Sequence, residues 1–141
     1  MKADGKGTLV VQDGFRGYSS QKTVHDAKVR AIGKIKGEKW VARPGYSEHQ
    51  TGLAVDFAAA GVSTLHISFS KTKAGIWLAA NAYKYGFVLR YPKGKTAITG
   101  YRFEPWHFRY VGVEVATDMH EKKILTLEEY YGLPAAPSYL N

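Results

Sequence analysis

The run Leu53-Ala54-Val55-Asp56-Phe57 plants a carboxylate in the middle of an alternating strand, and this restricts the fold more than any other stretch. With a side-chain period of two, Leu53, Val55 and Phe57 face one way while Ala54 and Asp56 face the other. Small Ala54 leaves space over the Asp56 carboxylate. Upstream, Gly52 lies between His49 and Asp56. A glycine there permits the close turn that brings both side chains to one cation. A second stretch, Glu104-Pro105-Trp106-His107, offers another imidazole from a different strand. Pro105 pushes Glu104 out of helical geometry, so Glu104 and His107 are not a pair on one helix face.

Two imidazoles and one carboxylate hold a catalytic zinc ion and leave a coordination position open. A spare carboxylate such as Glu104 then serves as a proton shuttle for metal-assisted amide hydrolysis. A plainer reading stands beside this one, in which the His–Asp pair is a satisfied polar contact. Five histidines in 141 residues do not decide between the two by spacing alone. Cysteine is absent, so disulfides and thiolate ligands are excluded and any metal must be held by His and carboxylate.

The remaining pattern predicts an α+β fold, a central antiparallel sheet with flanking helices. Thr8–Gln12 reads as a short strand. A helix is expected from about Gln21 to Ile32, capped by Ser19 or Ser20, with Val24, Ala27, Lys28 and Ala31 on one face. Gly33 to Pro44 reads as a loop with a short extended piece at Trp40–Ala42, and His66–Phe69 as another short strand. Ile76, Ala79, Ala80, Tyr83 and Phe87 recur at helical spacing, which predicts a helix from Thr72 to Tyr85 ended by Gly86. Strands Phe87–Tyr91 and Tyr101–Tyr110 are expected to form a hairpin through Pro92-Lys93-Gly94-Lys95. A helix follows over Val113–Lys122, and Thr126-Leu127-Glu128-Glu129 has the form of a capping box opening a last short helix. Trp40 and Trp77 are assigned to the core, and His25 to a surface role.

No internal repeat, linker or low-complexity tract divides the chain, so residues 1–141 are expected to form one domain. No apolar run reaches the length of a bilayer span, and residues 1–7 lack the apolar core of a signal peptide. The expectation is a cytoplasmic protein, or one whose leader or anchor lies outside this sequence. The net charge of +8 points to polyanions, nucleic acid or anionic wall polymers. The basic residues are scattered, and no helix-turn-helix, zinc-finger or stacking-platform pattern accompanies them, which argues against a nucleic-acid binder.

Ser47-x-His49-x-x-Gly52-x-Ala54-x-Asp56 followed by Glu104-x-Trp106-His107 resembles the signature of the VanY-type zinc D-alanyl-D-alanine carboxypeptidases. These belong to a wider group of peptidoglycan peptidases that share their fold with lysostaphin and the hedgehog signalling domain. The resemblance extends upstream to Gly14-Phe15-Arg16-Gly17-Tyr18-Ser19-Ser20-Gln21. It also takes in Tyr85–Pro92 and Thr126–Tyr131, and so covers most of the chain. It implies His49, Asp56 and His107 as ligands of one Zn2+ ion, Glu104 as catalytic base and acid, and Arg16 as a catalytic partner. Gln21, Ser47, Tyr101 and Trp106 are implied to line the substrate cleft. Asp13 and Gly17 depart from the family's usual serines. The usual helix before the first strand is shortened, as in a catalytic domain trimmed at its N-terminus.

The activity implied is removal of the terminal D-Ala from peptidoglycan stem peptides. An L,D-carboxypeptidase acting on the tetrapeptide is the close competitor. Further alternatives are an endolysin-type endopeptidase and a non-catalytic zinc-containing module that binds wall polymer. The implied location is extracytoplasmic, in the wall or at the membrane through a segment not present in this sequence.

Overall fold

In the computed structural model, residues 2–3, 7–62, 64–136 and 138–139 are described; of the stretch without a signal-peptide core, residues 1 and 4–6 lie outside them. The strands are β1 (Lys2–Ala3), β2 (Gly7–Asp13), β3 (Ala54–Ala59), β4 (Phe87–Leu89) and β5 (His107–Tyr110), in spatial order β1-β2-β3-β5-β4. Every neighbouring pair is antiparallel, as the α+β expectation requires.

The alternation in β3 holds from Ala54 onward. Ala54, Asp56 and Ala58 are buried, while Val55, Phe57 and Ala59 pack against a core of Phe69, Ala74, Leu78, Ala82, Trp106 and Phe108. Leu53 falls outside the strand and is exposed, because the left-handed turn at Gly52 (φ 73°) and a bond from the Leu53 N–H to Thr51 Oγ1 hold it in the entry loop. Between β2 and β3 the register runs Val11↔Phe57 and then Asp13↔Asp56, one extra residue on β2. This bulge re-aims the end of β2 beside Asp56.

Helix α1 (Tyr18–Ile32) starts a turn earlier than predicted and has no side-chain cap. Its first turn is set by the backbone instead, through Gln21 N–H to Gly17 O and Arg16 N–H to His49 O. The expected loop after it contains a short helix, α2 (Lys34–Gly37), and Trp40–Ala42 forms no strand. His66–Phe69 is not a strand either. The His66 ring accepts a bond from Ser68 N–H and opens a 3-10 turn over Ile67–Lys71.

Helix α3 (Lys73–Asn81) is capped by Thr72 and runs into a 3-10 turn at Ala82–Tyr85, which Gly86 ends at φ 82°. A side chain on Gly86 would also strike the Tyr110 ring and the backbone of Gly112. Strands β4 and β5 pair, but not as the tight hairpin predicted. Their connection carries α4 (Thr96–Thr99), and Tyr101–Trp106 is irregular. In that stretch Arg102 N–H bonds to Lys39 O and Glu104 N–H to Tyr91 O, so its backbone partners come from outside a β-ladder. Helices α5 (Val113–Glu121) and α6 (Leu127–Tyr131) complete the described fold. Thr126 Oγ1 accepts from the Glu129 N–H and donates to its carboxylate, the predicted cap. Among the described residues no helix is long and apolar enough to cross a membrane.

Candidate metal centre

Asp56 and His107 are direct partners in the β3–β5 register, so both side chains project from the same face. His107 Nδ1 lies 2.9 Å from Asp56 Oδ1. His49, on a 3-10 turn at Glu48–Thr51, places Nε2 3.4 Å from Asp56 Oδ2. One donor atom from each residue lies within 4.8 Å of the others. All three side chains are buried.

The outward nitrogens of both imidazoles are engaged. His49 Nδ1 is 2.6 Å from the Gly14 carbonyl, a partner that makes it the protonated nitrogen. His107 Nε2 faces Glu48 Oε2 at 3.5 Å. Each ring therefore keeps its inward nitrogen for a ligand role. Two such nitrogens and a carboxylate, with no thiolate in the chain, suit a divalent ion of zinc's chemistry.

The electrostatics agree with this. Burial pushes the Asp56 carboxyl up, but hydrogen bonds from His107 and His49 outweigh it and hold the group well below the usual carboxylate range. Burial pushes His107 down, yet Asp56 and Glu48 overcome that and raise it to about 9 without a metal. Glu104 goes the other way. Its burial raises it to about 8, against the opposing pull of His107. No hydrogen bond or ion pair to a described residue engages its carboxylate. The residue is placed by its backbone, through Glu104 N–H to Tyr91 O and His107 N–H to Glu104 O.

All nine residues singled out in the sequence line one cavity of about 190 Å³. Their states differ. Arg16 is ion-paired with Asp13 and donates to Gln21 Oε1 at 2.7 Å, and Gln21 Nε2 donates to Ala42 O at 2.7 Å. Both polar ends of Gln21 are thus occupied, and it acts as a brace for Arg16. Ser47 is buried, and its hydroxyl has no hydrogen-bond partner among the described residues. The Tyr101 hydroxyl meets that of Tyr139 at 2.7 Å. Trp106 belongs to both the cavity wall and the core cluster.

Three features escape the sequence reading. Trp40 is not core. It is 40% exposed and lines the cavity, with Arg102 Cζ 3.5 Å and Lys28 Nζ 4.7 Å from its ring centroid. Glu48 lies behind His107 and pairs with Arg90 and Arg109. His25 is not a surface residue, since its side chain is 13% exposed and sits between Asp26 and Glu38. Nothing local in the sequence marked Trp40 as a cavity residue or Glu48 as a charged partner of His107.

The family model described as "VanY: D-alanyl-D-alanine carboxypeptidase" matches residues 1–113. A D-alanyl-D-alanine carboxypeptidase of Enterococcus faecalis (strain ATCC 700802 / V583) is 43% identical over 130 residues, covering 86% of this chain and 46% of the relative. The solved LdcB LD-carboxypeptidase superposes with a TM-score of 0.81 at 45% identity, covering 91% of this chain and 60% of that one. A mutant of the vancomycin-resistance D,D-pentapeptidase VanY, solved in complex with Zn(II), gives 0.77 at 41% identity over 90% of this chain and 73% of that one. The chain spans about half the length of the first curated relatives it matches.

Proposed function

Since the chain belongs to the VanY family of D-alanyl-D-alanine carboxypeptidases, we propose that it is a zinc-dependent carboxypeptidase removing the terminal D-Ala of peptidoglycan stem peptides. The observation that carries this reading is the convergence of His49, Asp56 and His107, their inward donor atoms turned toward one another, in one cavity with a Glu104 carboxylate that has no partner among the described residues. His49, Asp56 and His107 would hold the zinc ion, which would supply Lewis acidity toward the scissile carbonyl and a bound water. Glu104 accepts the proton of the attacking water and delivers it to the leaving amine nitrogen.

Arg16 contributes positive charge beside the developing oxyanion. Its bonds to Asp13 and Gln21 use only part of a guanidinium with five N–H donors. The substrate's terminal carboxylate needs hydrogen bonds and a cation. Ser47 offers a hydroxyl with no partner among the described residues, with Tyr101 at the same wall. Lys28 lines the cavity and has no acidic partner among the described residues. Trp106 forms an apolar wall against the reacting peptide.

Cleavage of the D-Ala-D-Ala bond is the primary reading. A second is L,D-carboxypeptidase action on a stem ending in a single D-Ala, supported by the 45% identity to the solved LdcB LD-carboxypeptidase. Assembled peptidoglycan lies outside the cytoplasmic membrane, and the match to a wall-acting peptidase family supports an extracytoplasmic site of action. The net charge of +8 favours residence near anionic wall polymers. The test is incubation of purified protein with muropeptides ending in D-Ala-D-Ala or in one D-Ala, with and without chelator, and mass analysis of the products. Chelator-sensitive loss of one alanine is expected. Absence of cleavage in both refutes the reading.

A further inference from the structure

Behind His107 a chain of charged groups runs to the C-terminal helix. Glu48 Oε2 faces His107 Nε2 at 3.5 Å, while Glu48 Oε1 takes Arg90 Nε at 2.8 Å and Arg109 Nη1 at 3.1 Å. Arg90 then turns both terminal nitrogens to Glu128, Nη1 to Oε2 at 3.0 Å and Nη2 to Oε1 at 2.8 Å. Arg90 and Glu48 are 13% and 15% exposed at their side chains, and Glu128 is 9% exposed. The Tyr91 ring, next in sequence to Arg90, stacks on the His107 ring at 4.8 Å.

The two candidate ligand histidines are therefore backed differently. His49 leans on a neutral backbone carbonyl, whereas His107 faces a carboxylate. A carboxylate behind a ligating imidazole fixes its tautomer and raises its basicity, and losing one typically weakens metal binding about 10- to 100-fold. Glu48 is in turn gripped on its other oxygen, so its orientation depends on Arg90, and that of Arg90 on Glu128. A bidentate arginine–carboxylate pair is geometrically demanding, which makes the coupling directional.

We infer that Glu48 is a positioning residue for His107, and that α6 is a working part of the metal centre through Glu128, Arg90 and Glu48. Glu128 lies beyond the residues 1–113 that the family model matches. The inference rests on zinc being the bound group, as in the function proposed above.

The test reads zinc affinity by chelator competition on the full chain, with circular dichroism and Tm as folding controls. Glu48→Gln and Glu48→Ala are expected to weaken zinc binding about 10-fold or more. Glu128→Gln should weaken it in the same direction by a smaller factor, although it touches no ligand. In the Glu48→Ala background, Glu128→Gln should change zinc affinity no further, because the connection is already cut. A merely structural Glu128 would lower Tm without changing zinc affinity in either background. Nitrogen-15 spectra of the unmutated zinc-loaded protein give a readout free of folding defects: His107 should carry its proton on Nε2. Unchanged zinc affinity in folded Glu48 variants, an equal Glu128→Gln effect in both backgrounds, or a His107 proton on Nδ1 overturns the inference. Those results leave the carboxypeptidase reading intact if the protein still binds zinc and cleaves. A chain that binds no zinc refutes both.

Discussion

Asp56 on β3 and His107 on β5 occupy opposed positions in one antiparallel register, with Oδ1 and Nδ1 2.9 Å apart. Sheet pairing alone thus brings together two groups distant in sequence, and only His49 has to be delivered by a loop. That delivery is well secured: the His49 carbonyl accepts from Arg16 N–H and its ring bonds to Gly14 O, which ties the loop before α1 to the turn carrying His49.

Metal affinity should depend on pH with a definite sign. Without metal His107 titrates at about 9, because Asp56 and Glu48 outweigh its burial. A ligand must give up that proton, so zinc competes with it at every pH below about 9. Chelator competition between pH 6 and 9 should show affinity rising steeply, by about tenfold per unit for a single released proton, and flattening above. A pH-independent affinity over that range would contradict the assignment of His107.

Glu104→Gln separates proton transfer from metal binding. Its zinc content should be retained and turnover should fall by roughly 10²–10⁴. In the metal-free protein the same variant should raise stability. Burial lifts Glu104 from 4.5 to about 8. Its penalty is therefore absent below the unfolded value and grows as pH rises from there toward 8. At pH 8 the metal-free variant should melt about 3 °C or more above the parent. Equal melting curves would show that the carboxyl is well solvated.

Lys28→Gln tests recognition of the terminal carboxylate. The lysine lines the cavity on α1 and packs on Trp40. Removing its charge should raise KM about tenfold with kcat little changed, the pattern of lost uniform binding. An unchanged KM would assign carboxylate recognition elsewhere.

Gly75→Ala probes the scaffold without touching the site. A Cβ there would stand 2.0 Å from the Phe69 carbonyl oxygen, a backbone atom that cannot swing away. Thermal or urea unfolding should show a loss of about 2–3 kcal/mol. A neutral result would mean that the turn before α3 packs less closely.

Legibility in the sequence followed the range of the interaction. Strand β3, the helix ended by Gly86 and the Thr126 cap depend on neighbours a few residues away, and their patterns announce them. All nine candidate site residues meet in one cavity because the two motifs that hold most of them sit on adjacent strands or at their ends. Most of what stayed hidden depends on distant partners. Glu48 pairs with Arg90 42 positions away, and Arg90 with Glu128 38 positions further on. The irregular Tyr101–Trp106 stretch bonds to Lys39 and Tyr91 rather than to a strand. His66–Phe69 carries strand-forming side chains, yet one local bond from Ser68 to the His66 ring turns it the other way.

The most direct measurement is the anomalous X-ray signal at the zinc edge from zinc-soaked crystals of this chain. A single strong peak should lie about 2.0–2.2 Å from His49 Nε2, an Asp56 carboxylate oxygen and His107 Nδ1. No peak there, or zinc bound only at other residues, would contradict the metal centre on which the proposed activity depends.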